Sequence, residues 1–206
     1  MDSASLISAF VTLFVIIDPV GLAPLFVALT AGSDAAHRRA VALRACAIGT
    51  AILLLFGLFG EAILNFTGIS MPAFRIAGGI LLFLTALEML FERRSARRRG
   101  HTGDGNDPSV FPLATPLIAG PGAITSMILL TERAPDTGAQ ISVYLVMLGV
   151  IGLVLLFFLA AGAIERLLGE TGVNVVTRLL GMLLAALSVQ FVLDGLKGFG
   201  LATGAG

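Results

Sequence analysis

Apolar residues gather in six long runs along the chain, separated by short polar stretches. The runs extend approximately from Leu6 to Leu29, Ala45 to Phe66, Phe74 to Phe91, Phe111 to Leu130, Ile141 to Ile164 and Leu179 to Leu196. A helix needs about 20 apolar residues to cross the hydrocarbon core of a bilayer. Each run therefore predicts a transmembrane helix, the short third and sixth being lengthened by their flanks. The expected fold class is an all-α membrane protein with six transmembrane helices in a single integral membrane domain spanning residues 1–206.

Two runs carry helix breakers at matching places. The first contains Ile17-Asp18-Pro19-Val20-Gly21-Leu22-Ala23-Pro24, and the fourth contains Pro116-Leu117-Ile118-Ala119-Gly120-Pro121-Gly122-Ala123. Proline removes a backbone donor and clashes with the preceding turn. In hydrocarbon, backbone groups freed in this way persist only where protein or a wet cavity satisfies them. Broken spans at corresponding positions of two halves point to a transporter's binding site.

The halves align with a shift of about a hundred residues. Pro19 falls on Pro121, Thr67-Gly68-Ile69 on Thr171-Gly172-Val173, and, with one residue of slack, Arg75-Ile76-Ala77-Gly78 on Arg178-Leu179-Leu180-Gly181. Repeat one covers residues 1–92, a polar linker 93–110 and repeat two 111–206. Three spans per half, an odd number, would turn the second half upside down relative to the first. The expectation is two inverted three-helix repeats with broken first helices, an arrangement found in secondary transporters.

Composition agrees with membrane residence. Hydrophobic residues make up 57% of the 206 and charged residues 13%, against roughly 25% charged in soluble domains. Mean hydropathy is +0.99. The first run lacks the basic n-region of a signal peptide, so it reads as a retained span. The single cysteine, Cys46, excludes an intrachain disulfide and a Cys-x-x-Cys pair and reads as a small packed residue.

Net charge is zero, but its placement is uneven. Ten of the 13 Lys and Arg residues fall in three alternate connections, at Arg38, Arg39 and Arg44, at Arg93, Arg94, Arg97, Arg98 and Arg99, and at Arg166 and Arg178. Arg75, Arg133 and Lys197 fall on the other side. The positive-inside rule then predicts that both chain ends face outside. Directly after a span, the Arg93–Arg99 run reads as a topology anchor in the lipid bilayer, and no nucleic-acid partner is expected.

Asp18 is the candidate of most interest. It lies about halfway along its span, where an aspartate costs roughly 2.5 to 3.5 kcal/mol to insert, and such residues mark substrate or ion pathways. Two compatible readings stand. Asp18 binds a proton or a substrate ammonium, or it caps the helix that restarts at Pro19. Gly120 occupies the matching place in repeat two, so the chemistry is asymmetric. Backbone amides at a restarting helix suit a carboxylate. The candidate substrate or ion site therefore comprises Asp18, Pro19, Gly21, Pro24, Thr115, Pro116, Gly120, Pro121 and Gly122. Glycine and proline there also serve close helix crossing, and both roles stay open. Glu61 and Arg75 form a candidate outer gate pair or sit hydrated at the interface. Gln190 is a cavity residue or an interhelical hydrogen bond. Glu88 and Glu92 read as partners of the arginines that follow them.

No enzyme is expected. His37 and His101 lie in connections without zinc-ligand spacing, and there is no Walker loop and no Gly-x-Ser-x-Gly. No metal or cofactor is expected. The anticipated partners are a small-molecule substrate and H⁺ or Na⁺, with a homo-oligomer left open.

The Asp18–Pro24 motif, Pro112-Leu113-Ala114-Thr115-Pro116-Leu117-Ile118-Ala119-Gly120-Pro121-Gly122-Ala123-Ile124 and Phe74-Arg75-Ile76-Ala77-Gly78-Gly79-Ile80 resemble the MarC family (UPF0056-type) of bacterial integral membrane proteins. The resemblance covers nearly the whole chain. It implies six spans, the bacterial cytoplasmic (inner) membrane, kinship with LysE-type exporters, and transport of small neutral amino acids such as glycine and alanine driven by a cation gradient. Export of other small solutes or drugs is the alternative, and a non-transporting scaffold is the reading from a different class.

Overall fold

The computed structural model describes residues 3–91 and 107–200. The Arg93–Arg99 run lies outside the described residues. Among the described residues eight helical segments follow one another: α1 (Ser3–Ile17), α2 (Pro19–Leu29), α3 (Ala35–Thr67), α4 (Met71–Leu90), α5 (Ser109–Ile118), α6 (Pro121–Glu132), α7 (Thr137–Leu159) and α8 (Ala161–Gly198). Among the described residues there is no strand.

Polar residues between the apolar runs set the helix ends. Asp34 accepts the His37 amide at 2.7 Å, Ser70 the Ala73 amide at 3.4 Å and Asp136 the Ala139 amide at 2.8 Å. Each satisfies one amide that a helix start leaves without an intrahelical acceptor. These caps explain why α4 begins at Met71 and α7 at Thr137, a few residues before the apolar runs.

Among the described residues five segments are long and apolar enough to cross a bilayer: Ser3–Leu29, Ala35–Thr67, Met71–Leu90, Thr137–Leu159 and Thr171–Gly198. The pair α5 and α6, bent by 51°, makes the sixth when counted as one span. The two expected breaks therefore differ. α1 and α2 run on as one span of 27 residues interrupted only at Asp18, whereas α5 and α6 turn sharply at Ala119–Gly120.

The connection expected between the fifth and sixth runs is largely helical. α8 starts at Ala161 and is kinked at Gly169, whose φ of 62° and ψ of 173° suit a residue without a Cβ. The proposed match of Thr67-Gly68 with Thr171-Gly172 does not extend to conformation. Gly68 ends α3 in the left-handed region at φ 71°, while Gly172 lies inside α8.

Each long helix that follows a broken span packs on the broken span of the other half. α3 lies against α5 and α6, and α7 against α1 and α2. α4 packs on α6, and α8 on α2. α4 and α8 run antiparallel and form the most extensive pair, since Gly181 sits by Met89 and Ala86 while Gly195 sits by Pro72 and Ile76. Small residues let TM helix backbones approach closely where no hydrophobic force drives them together.

The buried centre includes Leu13, Ile17, Leu22 and Phe26, with Phe26 stacked on Phe158 at 4.5 Å between ring centroids. Large apolar side chains such as Ile7, Leu58, Phe66 and Leu145 are exposed instead of buried. On a soluble protein so many would form an aggregation surface; here they are the lipid face.

A cavity at the second helix break

At the first break, Asp18 adopts φ 54° and ψ 64°, the left-handed conformation. Proline disfavours the α region for the residue before it, and Asp is among the few side chains that enter the left-handed region readily. Pro19 has no N–H to give to the carbonyl of Val15. The ladder nonetheless resumes at once, with the Asp18 amide donating to Phe14 O at 2.9 Å and the Leu22 amide to Asp18 O at 3.0 Å. The Gly21 amide donates to Asp18 Oδ1 at 3.0 Å. Asp18 is fully buried, so this bond helps meet the cost of removing a polar group from water. A Cβ on residue 21 would run into the Asp18 carboxylate, which is why glycine stands there.

The second break has a different construction. Phe111, Thr115 and Pro116 leave helical geometry inside α5. α6 starts at Pro121 after Gly120, which lends no side-chain cap. The Gly120 carbonyl accepts the Ile124 amide at 2.9 Å, but the amides of Gly122 and Ala123 belong to the first turn, where a helix offers no internal acceptor. A Cβ on Gly122 would press on Leu82 of α4 and Ile16 of α1.

A cavity of about 180 Å³ opens at this bend. Its wall comprises Ile16 from α1, Thr85 and Glu88 from α4, and Pro116, Leu117 and residues 120–123 from the second half. Both halves contribute to it. The amides at the start of α6 carry the positive end of a helix dipole, and Glu88 supplies a half-buried carboxylate.

Pro116, Gly120, Pro121 and Gly122 thus lie at the cavity. Asp18, Pro19, Gly21 and Pro24 do not line it, and the first break reaches the cavity through the neighbouring Ile16. Thr115 is exposed and turned out of the wall. Glu61 and Arg75 do not form the anticipated pair. Arg75 Nη2 bonds Glu132 Oε2 at 2.6 Å, and Glu61 is exposed at the end of α3. Gln190 is also exposed, donating to Asp194 Oδ1 at 2.8 Å, and that aspartate holds Arg133 at 2.7 Å. Thr85 and Glu88 are the polar cavity residues that sequence reasoning missed. An acid within a span was the available signal for Glu88; the Arg93–Arg99 run expected to partner it lies outside the described residues. Among the described residues no three His, Cys, Asp or Glu side chains converge to hold a metal.

Ion pairs mark the two ends of the bundle. Arg75–Glu132 and Arg133–Asp194 join the start of α4, the end of α6 and the end of α8. Arg44–Asp107, at 2.7 Å, joins the start of α3 to the start of α5 at the opposite end. Glu88 lies in the last turn of α4, so the cavity is nearer the Arg44–Asp107 end.

The Ser109 hydroxyl and amide, at 2.7 and 2.9 Å, together with Arg44, hold the Asp107 carboxyl below its ordinary value of 3.8. A depressed folded value means that the contribution to stability is present above the unfolded value and is lost as pH falls through the folded one. Ser109→Ala is expected to raise the Asp107 pKa and move the acid-side loss of stability to higher pH. Thermal denaturation followed from neutral pH down through the carboxylate range checks this, and an unchanged profile refutes it.

The helices and lipid-facing surface define a multi-pass integral membrane protein with a cavity at its second helix break. Residues 3–199 match the MarC family integral membrane protein description. The chain is 38% identical to a UPF0056 membrane protein of Methanocaldococcus jannaschii, over 96% of this chain and 98% of the relative. It is 35% identical to the UPF0056 inner membrane protein YhgN of Escherichia coli strain K12, over 93% and 96%. The UPF0056 membrane protein YvbG of Bacillus subtilis is 36% identical, over 94% of both. No solved structure matches the chain. The chain belongs to the MarC family.

Proposed function

We propose that this protein is a secondary transporter of small neutral amino acids or similar small metabolites, coupled to H⁺ or Na⁺, in the bacterial cytoplasmic membrane with both chain ends outside. The observation that carries the reading is the cavity at the second helix break, walled by both halves of the chain. A carrier needs a site that two halves can expose in turn, and such sites form at interrupted helices between repeats.

The packing supports two inverted repeats. Exchanging α1, α2, α3 and α4 with α5, α6, α7 and α8 turns the pairing of α3 with α5 and α6 into that of α7 with α1 and α2. It likewise turns α4 on α6 into α8 on α2 and returns the antiparallel α4–α8 pair to itself. A two-fold axis in the membrane plane between α4 and α8 has these properties.

Size favours a small solute over a drug. The cavity of about 180 Å³ is below the roughly 300 Å³ at which drug-sized pockets begin.

The test is uptake of labelled glycine and alanine by proteoliposomes, with and without imposed proton or sodium gradients. Uptake several-fold above protein-free vesicles, driven by one gradient and competed by unlabelled substrate, is the expected result. Absence of uptake by well-inserted protein in both orientations would sink the amino-acid reading.

A further inference from the structure

We propose that the seam between α4 and α6 is the route from the cavity to the far end of the bundle, and that the Arg75–Glu132 and Arg133–Asp194 ion pairs are the gate across it. This rests on the transport reading and adds the moving element and its fastening to it.

α4 and α6 lie antiparallel from the cavity outward. Thr85 of α4 and residues 121–123 of α6 share the cavity wall. Beyond them, a Cβ on Gly122 would press on Leu82, and one on Gly78 would press on Thr125. Last comes Arg75, bonded to Glu132. Residue numbers fall along α4 as they rise along α6, so one continuous contact leads from the cavity to the ion pair. The 12 residues of α6 make it about 18 Å long at about 1.5 Å per residue. The route is shut along its length, with Thr125, Ser126, Met127 and Leu129 all buried.

The far mouth is fastened by charge. Arg75 of α4 holds Glu132 at 2.6 Å, and the next residue, Arg133, holds Asp194 of α8 at 2.7 Å. The other oxygen of Asp194 accepts from Gln190 at 2.8 Å, which steadies the carboxylate for Arg133. The end of α6 is thereby tied to both helices of the α4–α8 pair. Ion pairs suit a reversible closure, because the partners regain water on separation and the net gain of a partly exposed pair is small. Closure also leaves two donors unmet. Arg75 Nε on α4 and Ser126 Oγ on α6 are buried without a hydrogen-bond partner, a cost that water removes when the seam opens. The Arg44–Asp107 pair stands at the opposite end, nearer the cavity, and ties α3 to α5 without touching this seam.

The experiment reads the thiol of Ser126→Cys, in a Cys46→Ala background, with a charged methanethiosulfonate reagent on purified protein in detergent. Labelling of a buried thiol follows the population of the open form. Ser126 is fully buried and off the cavity wall, so slow labelling is expected with the gate intact. Removing one partner leaves the other charge uncompensated, and Glu132→Gln and Asp194→Asn are each expected to speed labelling about ten-fold. The exchange of Arg75→Glu with Glu132→Arg is expected to slow it again. Asp107→Asn, at the opposite end, is expected to leave it unchanged. The native Cys46 thiol, buried on α3, is expected to stay slow in Glu132→Gln and Asp194→Asn, which establishes that these variants are folded. Unchanged Ser126→Cys labelling in both variants overturns the gate and leaves transport standing. Equal acceleration by Asp107→Asn, or at Cys46, also overturns it, because it reports general loosening. A gate that behaves as expected in a protein that takes up no glycine overturns the amino-acid reading alone.

Discussion

Gly79→Leu is expected to split the α4–α8 seam and to cost about 3 kcal/mol, the upper end of the range for overpacking a filled interior. A Cβ on residue 79 would stand 2.7 Å from the carbonyl oxygen of Ser188, 2.7 Å from Val192 Cγ2 and 3.0 Å from the Val192 amide nitrogen. Two of these three atoms are backbone, so no rotamer change clears the space. The whole of α8 would have to move. The same seam is close-packed at Gly181 against Met89 and at Gly195 against Ile76 and Pro72, so displacement at its middle is felt along its length. Gly149 and Gly152 on α7 provide the controls, since a Cβ at either meets nothing within 4 Å. Alanine there is expected to be neutral or to stabilise by up to about 1 kcal/mol through helix propensity. Thermal unfolding of the purified variants in detergent reads both effects. A Gly79→Leu protein as stable as wild type would mean that α4 and α8 do not pack as described.

A substitution series at Asp18 separates conformation from charge. Loss of an N-cap costs about 0.5 to 2 kcal/mol, and a left-handed residue with an ordinary Cβ costs roughly 1 to 2 kcal/mol. Asp18→Ala suffers both and is expected to lose about 2 to 4 kcal/mol. Asp18→Gly keeps the backbone conformation and loses only the cap. Asp18→Asn keeps the left-handed conformation and a carbonyl oxygen for the Gly21 amide, so it is expected to lose least. Melting temperatures should fall in the order Asn, Gly, Ala. Uptake measured on the same variants then isolates the charge, because Asn differs from Asp chiefly in that respect. Stable Asp18→Asn protein with full transport assigns Asp18 to architecture. Stable protein with transport abolished makes its ionisation part of the cycle and reopens it as the coupling site. Equal stability across the series would contradict the capping geometry.

Much of the architecture was legible because the bilayer enforces a coarse rule. Apolar runs of spanning length had to become helices, whereas the caps at Asp34, Ser70 and Asp136 became visible only in the structure. Gly120-Pro121-Gly122 announced a break through backbone chemistry alone. The unequal depth of the two breaks was not legible. Asp18-Pro19 and Gly120-Pro121 carry the same proline, yet Asp18 can cap its own restart while Gly120 has no side chain with which to do so. The first span stays nearly continuous, and the second bends by 51°.

Partnership was harder to read than placement. Arg75 was visible at a helix start, but its partner Glu132 is 57 residues away, and nothing local distinguishes it from Glu61. Gln190 was visible inside the last span, but its exposure depends on which face of α8 meets α4. That Glu88 also stands beside the bend in the second half depends on how α4 packs.

The sequence by itself determined what each segment is: membrane helices, the two interruptions and the MarC family likeness. These follow from hydropathy, backbone donors and steric limits, which act within a few residues. Only the tertiary structure decided which segments meet. The pairing of α4 with α8, the ion pairs at the ends and the cavity that unites Glu88 with the start of α6 arise from packing between residues distant in the chain, where many faces are apolar and local chemistry leaves the choice open.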